Sequence, residues 1–428
     1  MTVGIAREAP KAGLLDSLRS SNAPIRPRKL GRAREAIFLV PGLLGFETFS
    51  TFSYFADRVA AALRSALEVK LGRTVYVIPV PIPPTASLAA RQAELVKTIA
   101  GRLQSLQSDL GRLEVHLVGH STGGVDANLL TNEQPLALAT PSGTEVPRTW
   151  LSLDARAAEL RKQIRSVISI ASPHQGACIA NDSVARVFAA HDFRGLPALV
   201  SLVAKFAACS LHDVEVEEAA DGVLRAGAVS LGFARDIARR WALLGDLNVD
   251  APRRDTALAP SVTRRSIVTI AGQPRIGEGA TSSDAFFRAL SERAAGWTSG
   301  TAERGKRVKA SVERLIELTK SDAASDFIIK SPLTDIPALD AGCNDGVVNS
   351  ARQLIDPSDP DELVAMVAAD HFDVVGYYDR YRWRSKPGED ERMVRLRGGF
   401  MHSGSVFGDD EFFALWDRVA EVIANLAS

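Results

Sequence analysis

The sequence predicts an α/β fold: a mostly parallel central sheet with helices on both faces and a helical insertion above it. Three observations predict this. From Ala36 onward, short apolar runs alternate with amphipathic runs of helix length, the pattern of strands joined by crossover helices. A serine stands at the turn between one apolar run and the helix after it. The two stretches that interrupt the alternation lie between strands, where added residues leave a sheet intact.

Each element has its own justification. "AIFLVPG" is an apolar run closed by Pro-Gly, a buried strand. "SYFADRVAAALRSALEVKLG" spaces its apolar residues as a helix does and stops at a glycine. "TVYVIPVP" is the next strand, and "SLAARQAELVKTIAGRLQSL" the next helix, with Ser87 placed to cap it. "EVHLVGH" leads into "GGVDANLLT", a strand, a turn and a helix, and "IRSVISIASPHQG" is a further strand ending in a loop. From Cys178 to Thr263 the pattern is mainly helical, with "LPALVSLVAKFAACSL" and "LGFARDIARRWALL". "RSIVTIAG" resumes the sheet. A more polar interruption from Gln273 to Ala341 includes "RGKRVKASVERLIELTK", which pairs opposite charges at helical spacing. "ELVAMVAAD" reads as the last strand and "DEFFALWDRVAEVIANL" as the closing helix. The expected organisation is a leader over 1–35, a core over 36–176 and 264–428, a helical lid over 177–263, and a second, polar helical insertion over 273–341 within the core.

Composition bounds the class of protein. At 428 residues, 46% hydrophobic and 24% charged, the chain is globular material. Its 51 basic residues balance 51 acidic ones, which removes a global electrostatic attraction to nucleic acid; "RPRKLGRAR" near the start reads as a solvated leader. Cys178, Cys209 and Cys343 lack C-x-x-C spacing, so neither a zinc site nor a disulfide framework is indicated. The first residues have no apolar stretch of signal-peptide length and no later run approaches a membrane span, so a cytoplasmic, soluble chain is expected.

The chemistry centres on Ser121 in "VGHSTGG". Gly119 and Gly123 give the spacing G-x-S-x-G, which holds a serine hydroxyl clear of a sheet with a helix N-terminus beside it. A hydroxyl is a poor nucleophile until a base takes its proton, and the base needs a carboxylate to hold its tautomer. In the α/β-hydrolases, which such a turn resembles, the acid and then the histidine follow the serine in the chain. That order excludes His116 and His120, and His174, His191 and His212 precede the last two strands. His371, directly after "ELVAMVAAD", is favoured as base, with His402 in "GGFMHSGSVFG" the alternative. Asp345, in the "CNDGVV" turn, is favoured as acid. Developing negative charge needs two donors: the Thr122 N–H, and the Leu43 N–H in "VPGLLGF", where Gly42 and Gly45 let the loop turn.

Five segments in this order, "VPGLLGF", "GHSTGG", "SIASPHQGA", "NDGVV" and "DHFDVV", resemble the bacterial lipases and esterases of the α/β-hydrolase superfamily over residues 36–176 and 264–376. The resemblance implies an α/β-hydrolase fold, Ser121 as nucleophile, His371 as base, Asp345 as acid, Leu43 and Thr122 as oxyanion donors, and a structural rather than catalytic His174. Pro41 replaces the histidine usual before the oxyanion glycine, which leaves the backbone donor in place. Tyr377 stands where some relatives have an amide ligand for calcium, so no metal is expected, and no cofactor is implied. The expected activity is that of a serine carboxylic-ester hydrolase acting on medium-chain acyl esters of small molecules or lipids through an acyl-enzyme. An acyltransferase, a thioesterase or a polyester depolymerase would use the same residues, and a catalytically inactive binding protein would keep only the fold.

Overall fold

The computed structural model describes residues 31–43, 48–49, 52–83, 86–132, 148–180, 246–247, 261–271, 302–321, 324–378, 380–384, 392–397 and 405–427, apart from positions 32 and 335, and a few isolated positions besides. In chain order these form β1 (Glu35–Val40), β2 (Thr48–Phe49), β3 (Phe52–Ser53), α1 (Asp57–Leu71), β4 (Tyr76–Pro79), α2 (Leu88–Leu110), β5 (Glu114–His120), α3 (Thr122–Leu130), α4 (Arg148–Arg161) and β6 (Ile164–Ile170). They continue with β7 (Thr263–Ile270), α5 (Ala302–Lys320), α6 (Ala324–Phe327), β8 (Ile328–Ile329), β9 (Leu363–Ala368), β10 (Arg380–Arg384), β11 (Arg392–Arg397) and α7 (Asp409–Leu426).

Seven strands make one sheet in the order β4-β1-β5-β6-β7-β9-β8, and every pairing in it is parallel. Both faces of this sheet are covered, which is why its strands read as continuous apolar runs. The two-residue period still sorts them. Ile37 and Leu39 of β1, Val118 of β5 and Ile168 of β6 join a core with Val59 and Leu63 of α1 and Leu415, Trp416 and Val419 of α7. Ala36, Phe38 and Val40, with Val115 and Leu117, face Leu95 and Ile99 of α2, Ala127 of α3 and Leu160 of α4. The result is the α/β architecture expected from the sequence: a parallel sheet between two helical layers, with a strand-turn-helix unit, β5 to α3, at its centre.

Helix ends follow local chemistry. Ser87 caps α2 by accepting the Ala90 N–H at 3.3 Å, and α1 stops at Gly72, whose φ of 65° lets the chain turn left-handed. In α7 the buried positions Phe412, Leu415, Trp416, Val419, Ala420 and Ile423 form one stripe. Burying each large side chain in it contributes about 1.5–3 kcal/mol. The same helix reaches the loop after β9: Trp416 Nε1 donates to the Val374 carbonyl at 3.2 Å. From the other side the Ala56 N–H, at the start of α1, bonds the Val375 carbonyl at 3.0 Å. Two core helices thus anchor the loop that carries His371.

Three features depart from the expected outline. "ELVAMVAAD" is the last strand of the main sheet but not of the chain, because β10 and β11 follow it as an antiparallel pair in a sheet of their own. Their sequences, "RYRWR" and "RMVRLR", lack the apolar run that marks a buried strand. Inside the polar stretch, β8 adds two residues to the sheet edge, too few for a period to register. Helix α5 of that stretch packs Leu315 against Val268, Leu354 and Leu363. Helix α4 has no counterpart among the expected elements. Of the span expected to form a lid, 181–245 and 248–260 lie outside the described residues. Among the described residues, no helix is long and apolar enough to cross a membrane.

Candidate active site

The turn between β5 and α3 is as sharp as its glycines require. Ser121 has φ 57° and ψ −133°, a conformation that costs a non-glycine residue about 1–3 kcal/mol and recurs at functional turns. A Cβ on Gly119 would come within 2.4 Å of the Gly123 carbonyl oxygen, and one on Gly123 within 2.0 Å of the Val40 carbonyl oxygen. Only glycine lets strand, turn and helix approach this closely. The Ser121 N–H bonds the Ile170 carbonyl at 2.9 Å, fixing the turn to β6. Thr122 is the first residue of α3, so its N–H has no partner within the helix.

The loop after β1 lies directly against this serine: a Cβ on Gly42 would stand 2.5 Å from Ser121 Cβ. Arg91 of α2 holds the loop in place. Fully buried, it donates through Nη2 to the carbonyls of Pro41 at 2.9 Å and Gly42 at 3.4 Å, and through Nη1 to Pro83 at 2.9 Å. Its Nε donates to Asp126 Oδ2 of α3 at 2.8 Å, and Gln92 adds a bond to Asp126 Oδ1 at 3.2 Å. Burial pushes the Asp126 carboxyl above its ordinary range, and the adjacent guanidinium opposes that push. No peptide bond here is cis, so the Leu43 N–H points away from the Gly42 carbonyl that Arg91 draws to itself. The Leu43 side chain packs beside Ala177, Ala180 and Leu247; Leu247 belongs to the span between 177 and 263.

Asp345 and His371 are brought together. His371 Nδ1 lies 2.8 Å from Asp345 Oδ2, and the His371 N–H bonds the Asp345 carbonyl at 3.0 Å, so side chain and backbone both join the two loops. Four further donors surround the carboxylate. The N–H groups of Val347 and Val348 reach Oδ1 at 2.9 and 2.7 Å, while Thr269 Oγ1 and Gln353 Nε2 reach Oδ2 at 2.7 and 3.3 Å. The Asn-Asp-Gly turn makes this possible: Asn344 Oδ1 accepts the Gly346 N–H at 2.8 Å, and Gly346 takes φ 93°. On the base loop, Asp370 Oδ1 accepts the N–H groups of Phe372 at 2.9 Å and Asp373 at 3.1 Å. Burial pushes the Asp370 carboxyl up to about 8, and the nearby Asp345 charge adds to the push.

The base loop is also tied to the elbow. His120, the residue before Ser121, places Nε2 2.8 Å from the His371 carbonyl oxygen and Nδ1 2.7 Å from the Tyr54 hydroxyl. Of the remaining histidines, His174 is buried at the end of β6, and His402 lies outside the described residues, as do His191 and His212. Cys178 and Cys343 are free thiols, and Cys209 lies outside the described residues. Arg91, Tyr54, His120, Gln353 and Asp370 escaped the sequence reading. For Arg91 a signal was present: it shares the i, i+4 register of Leu95, Ile99 and Leu103, an apolar stripe on which a lone cation needs a buried partner.

Compared by sequence, no protein-family model and no curated protein matches the chain. Compared by structure, it resembles Staphylococcus hyicus lipase at 15% identity and a TM-score of 0.44, over 92% of this chain and 96% of that one. It resembles lipase 1 from Pelosinus fermentans at 17% identity and a TM-score of 0.48, over 91% and 98% of the two chains. EstA from Clostridium botulinum is similar at 15% identity and a TM-score of 0.43, over 92% and 88%. Likeness at this level concerns the fold alone.

Proposed function

We propose that this chain is a serine carboxylic-ester hydrolase of the lipase or esterase kind. The observation that carries the reading is the convergence on one turn: the strained Ser121, the Gly42 loop packed on its Cβ, and the bonded His371–Asp345 pair tied to the same turn through His120. In this mechanism His371 Nε2 takes the Ser121 proton as Oγ attacks the ester carbonyl carbon. The N–H groups of Leu43 and Thr122 hold the resulting oxyanion, and Asp345 holds the Nδ1–H tautomer and stabilises the imidazolium. The imidazolium returns its proton to the departing alcohol, leaving an acyl-enzyme. A water molecule, deprotonated by His371, then releases the acid and restores Ser121. No cofactor enters these steps.

A fluorophosphonate probe tests the reading, because it phosphonylates only an activated serine. Labelling at Ser121, blocked by prior incubation with an ester substrate, is the expected result. An unlabelled, folded protein would be a binding protein on a hydrolase fold.

The span 177–263 is read as a helical lid carrying the acyl site. Leu247 packs in the same small cluster as Leu43, and the Ala177 N–H bonds the Leu247 carbonyl at 2.9 Å, which supports placing part of this span beside the oxyanion loop. Medium-chain p-nitrophenyl esters should therefore be preferred over acetate, and a charge at Leu199 or Phe206 should erase the preference while sparing acetate turnover. A preference for acetate in the unmodified protein would remove this span from the acyl site.

A further inference from the structure

With an uncharged His120, the Tyr54–His120–His371 chain has one consistent arrangement of protons. The His371 carbonyl oxygen is an acceptor, so His120 Nε2, 2.8 Å away, must carry a proton. In the neutral ring Nδ1 is then a lone pair, and the Tyr54 hydroxyl at 2.7 Å must donate to it. The Tyr54 hydroxyl also lies against the oxyanion loop: a Cβ on Gly42 would stand 2.6 Å from it. Both side chains are buried, so water offers no substitute for these bonds.

We propose that Tyr54 and His120 are positioning residues for acyl transfer: the Tyr54 hydroxyl holds His120 uncharged as its Nε2–H tautomer, and through it ties the oxyanion loop to the base loop. The proposal rests on His371 being the base. Its consequence is electrostatic as well as geometric. The His120 and His371 ring centroids are 4.7 Å apart, so a charge on His120 would oppose the imidazolium that forms on His371 at every proton transfer.

The surroundings agree. Burial, and then the neighbouring His371, drive the protonation of His120 well below the ordinary histidine range. Burial likewise suppresses ionisation of Tyr54, keeping its hydroxyl a donor. Among the described residues, the ionisable groups around the ring are Tyr54 from the segment before α1 and His371 from the base loop. Asp345 lies behind His371, and Arg91 of α2 acts on Tyr54. None of them is a carboxylate bonded to His120, the one partner that would favour its charged form.

Tyr54→Phe keeps the ring and removes the hydroxyl, and with it the donor to His120 and the contact with the Gly42 loop. Turnover of a soluble ester should fall about ten- to a hundredfold with KM nearly unchanged, the range typical when one aligned group is lost. The acid limb of the kcat profile should also move to higher pH, because His120 Nδ1, left without a donor, takes a proton more readily. Tyr54→Phe combined with His120→Gln should return the acid limb to its original position, since an amide can donate to the His371 carbonyl but cannot charge. A limb that does not move in Tyr54→Phe, or a shift that persists in the double variant, would overturn the proposal. Should Tyr54→Phe fail to fold, nitrogen-15 chemical shifts of His120 in the unaltered protein decide the matter: a neutral Nε2–H ring from pH 5 to 8 is expected, and a charged or Nδ1–H ring refutes it. Retained activity in Ser121→Ala would instead remove the parent mechanism, a result separate from the tautomer measurement.

Discussion

Ser121→Ala should lower p-nitrophenyl ester turnover by a factor on the order of 10⁶, the scale seen when a triad nucleophile is removed. Its melting temperature should stay nearly constant. The hydroxyl makes no cap bond to α3, so its loss leaves no helix donor stranded. Alanine keeps the Cβ that packs on Gly42, and it meets the same backbone strain; Ala171 already occupies φ 53° in this protein. Turnover measured beside a thermal melt separates chemistry from folding. Activity kept with a normal melt would remove the elbow from the mechanism.

The parts of this fold that were legible are those where burial writes a period into the chain. β1, β5, β6, β7 and β9 are apolar on both faces, α1 and α2 carry their stop and cap, and Ser121 is framed by glycines whose absent Cβ atoms prove sterically necessary. Asp345 and His371 were legible by position, each on a loop at the carboxyl end of the sheet, and the structure bonds them to each other. What escaped depends on partners distant in the sequence. Nothing near Arg91 announces that its guanidinium will hold the Pro41 and Gly42 carbonyls, although its place on an apolar stripe was a usable sign. Chain order excluded His120 as a base, and order carries no information about a ring that bridges Tyr54 and His371. The arginines of β10 and β11 hid a strand pair from a reading tuned to apolar runs, although "RYRWR" alternates with the two-residue period of a strand.

Replacing the acid or the base should have the next largest effects, and Asp345→Asn is the more informative of the two. Oδ1 of Asp345 accepts two backbone N–H groups, so an asparagine would keep its carbonyl there and present its NH₂ where Oδ2 now stands. That position faces Thr269 Oγ1, Gln353 Nε2 and His371 Nδ1. A donor among them can be accommodated at His371 only if the ring gives up its Nδ1 proton and carries it on Nε2 instead. Nε2 is the atom that must accept the Ser121 proton, so the base would be held in the wrong tautomer. A loss of about 10⁴ in kcat is expected, as for an equivalent tautomer switch in other triads. His371→Ala should lose more, on the order of 10⁶, whereas His402→Ala should lose about tenfold or less. Saturating turnover for the three variants, each with a melting curve, gives the test. Near-normal turnover in Asp345→Asn would send the search to another carboxylate, and a larger loss in His402→Ala than in His371→Ala would move the base to the loop before α7.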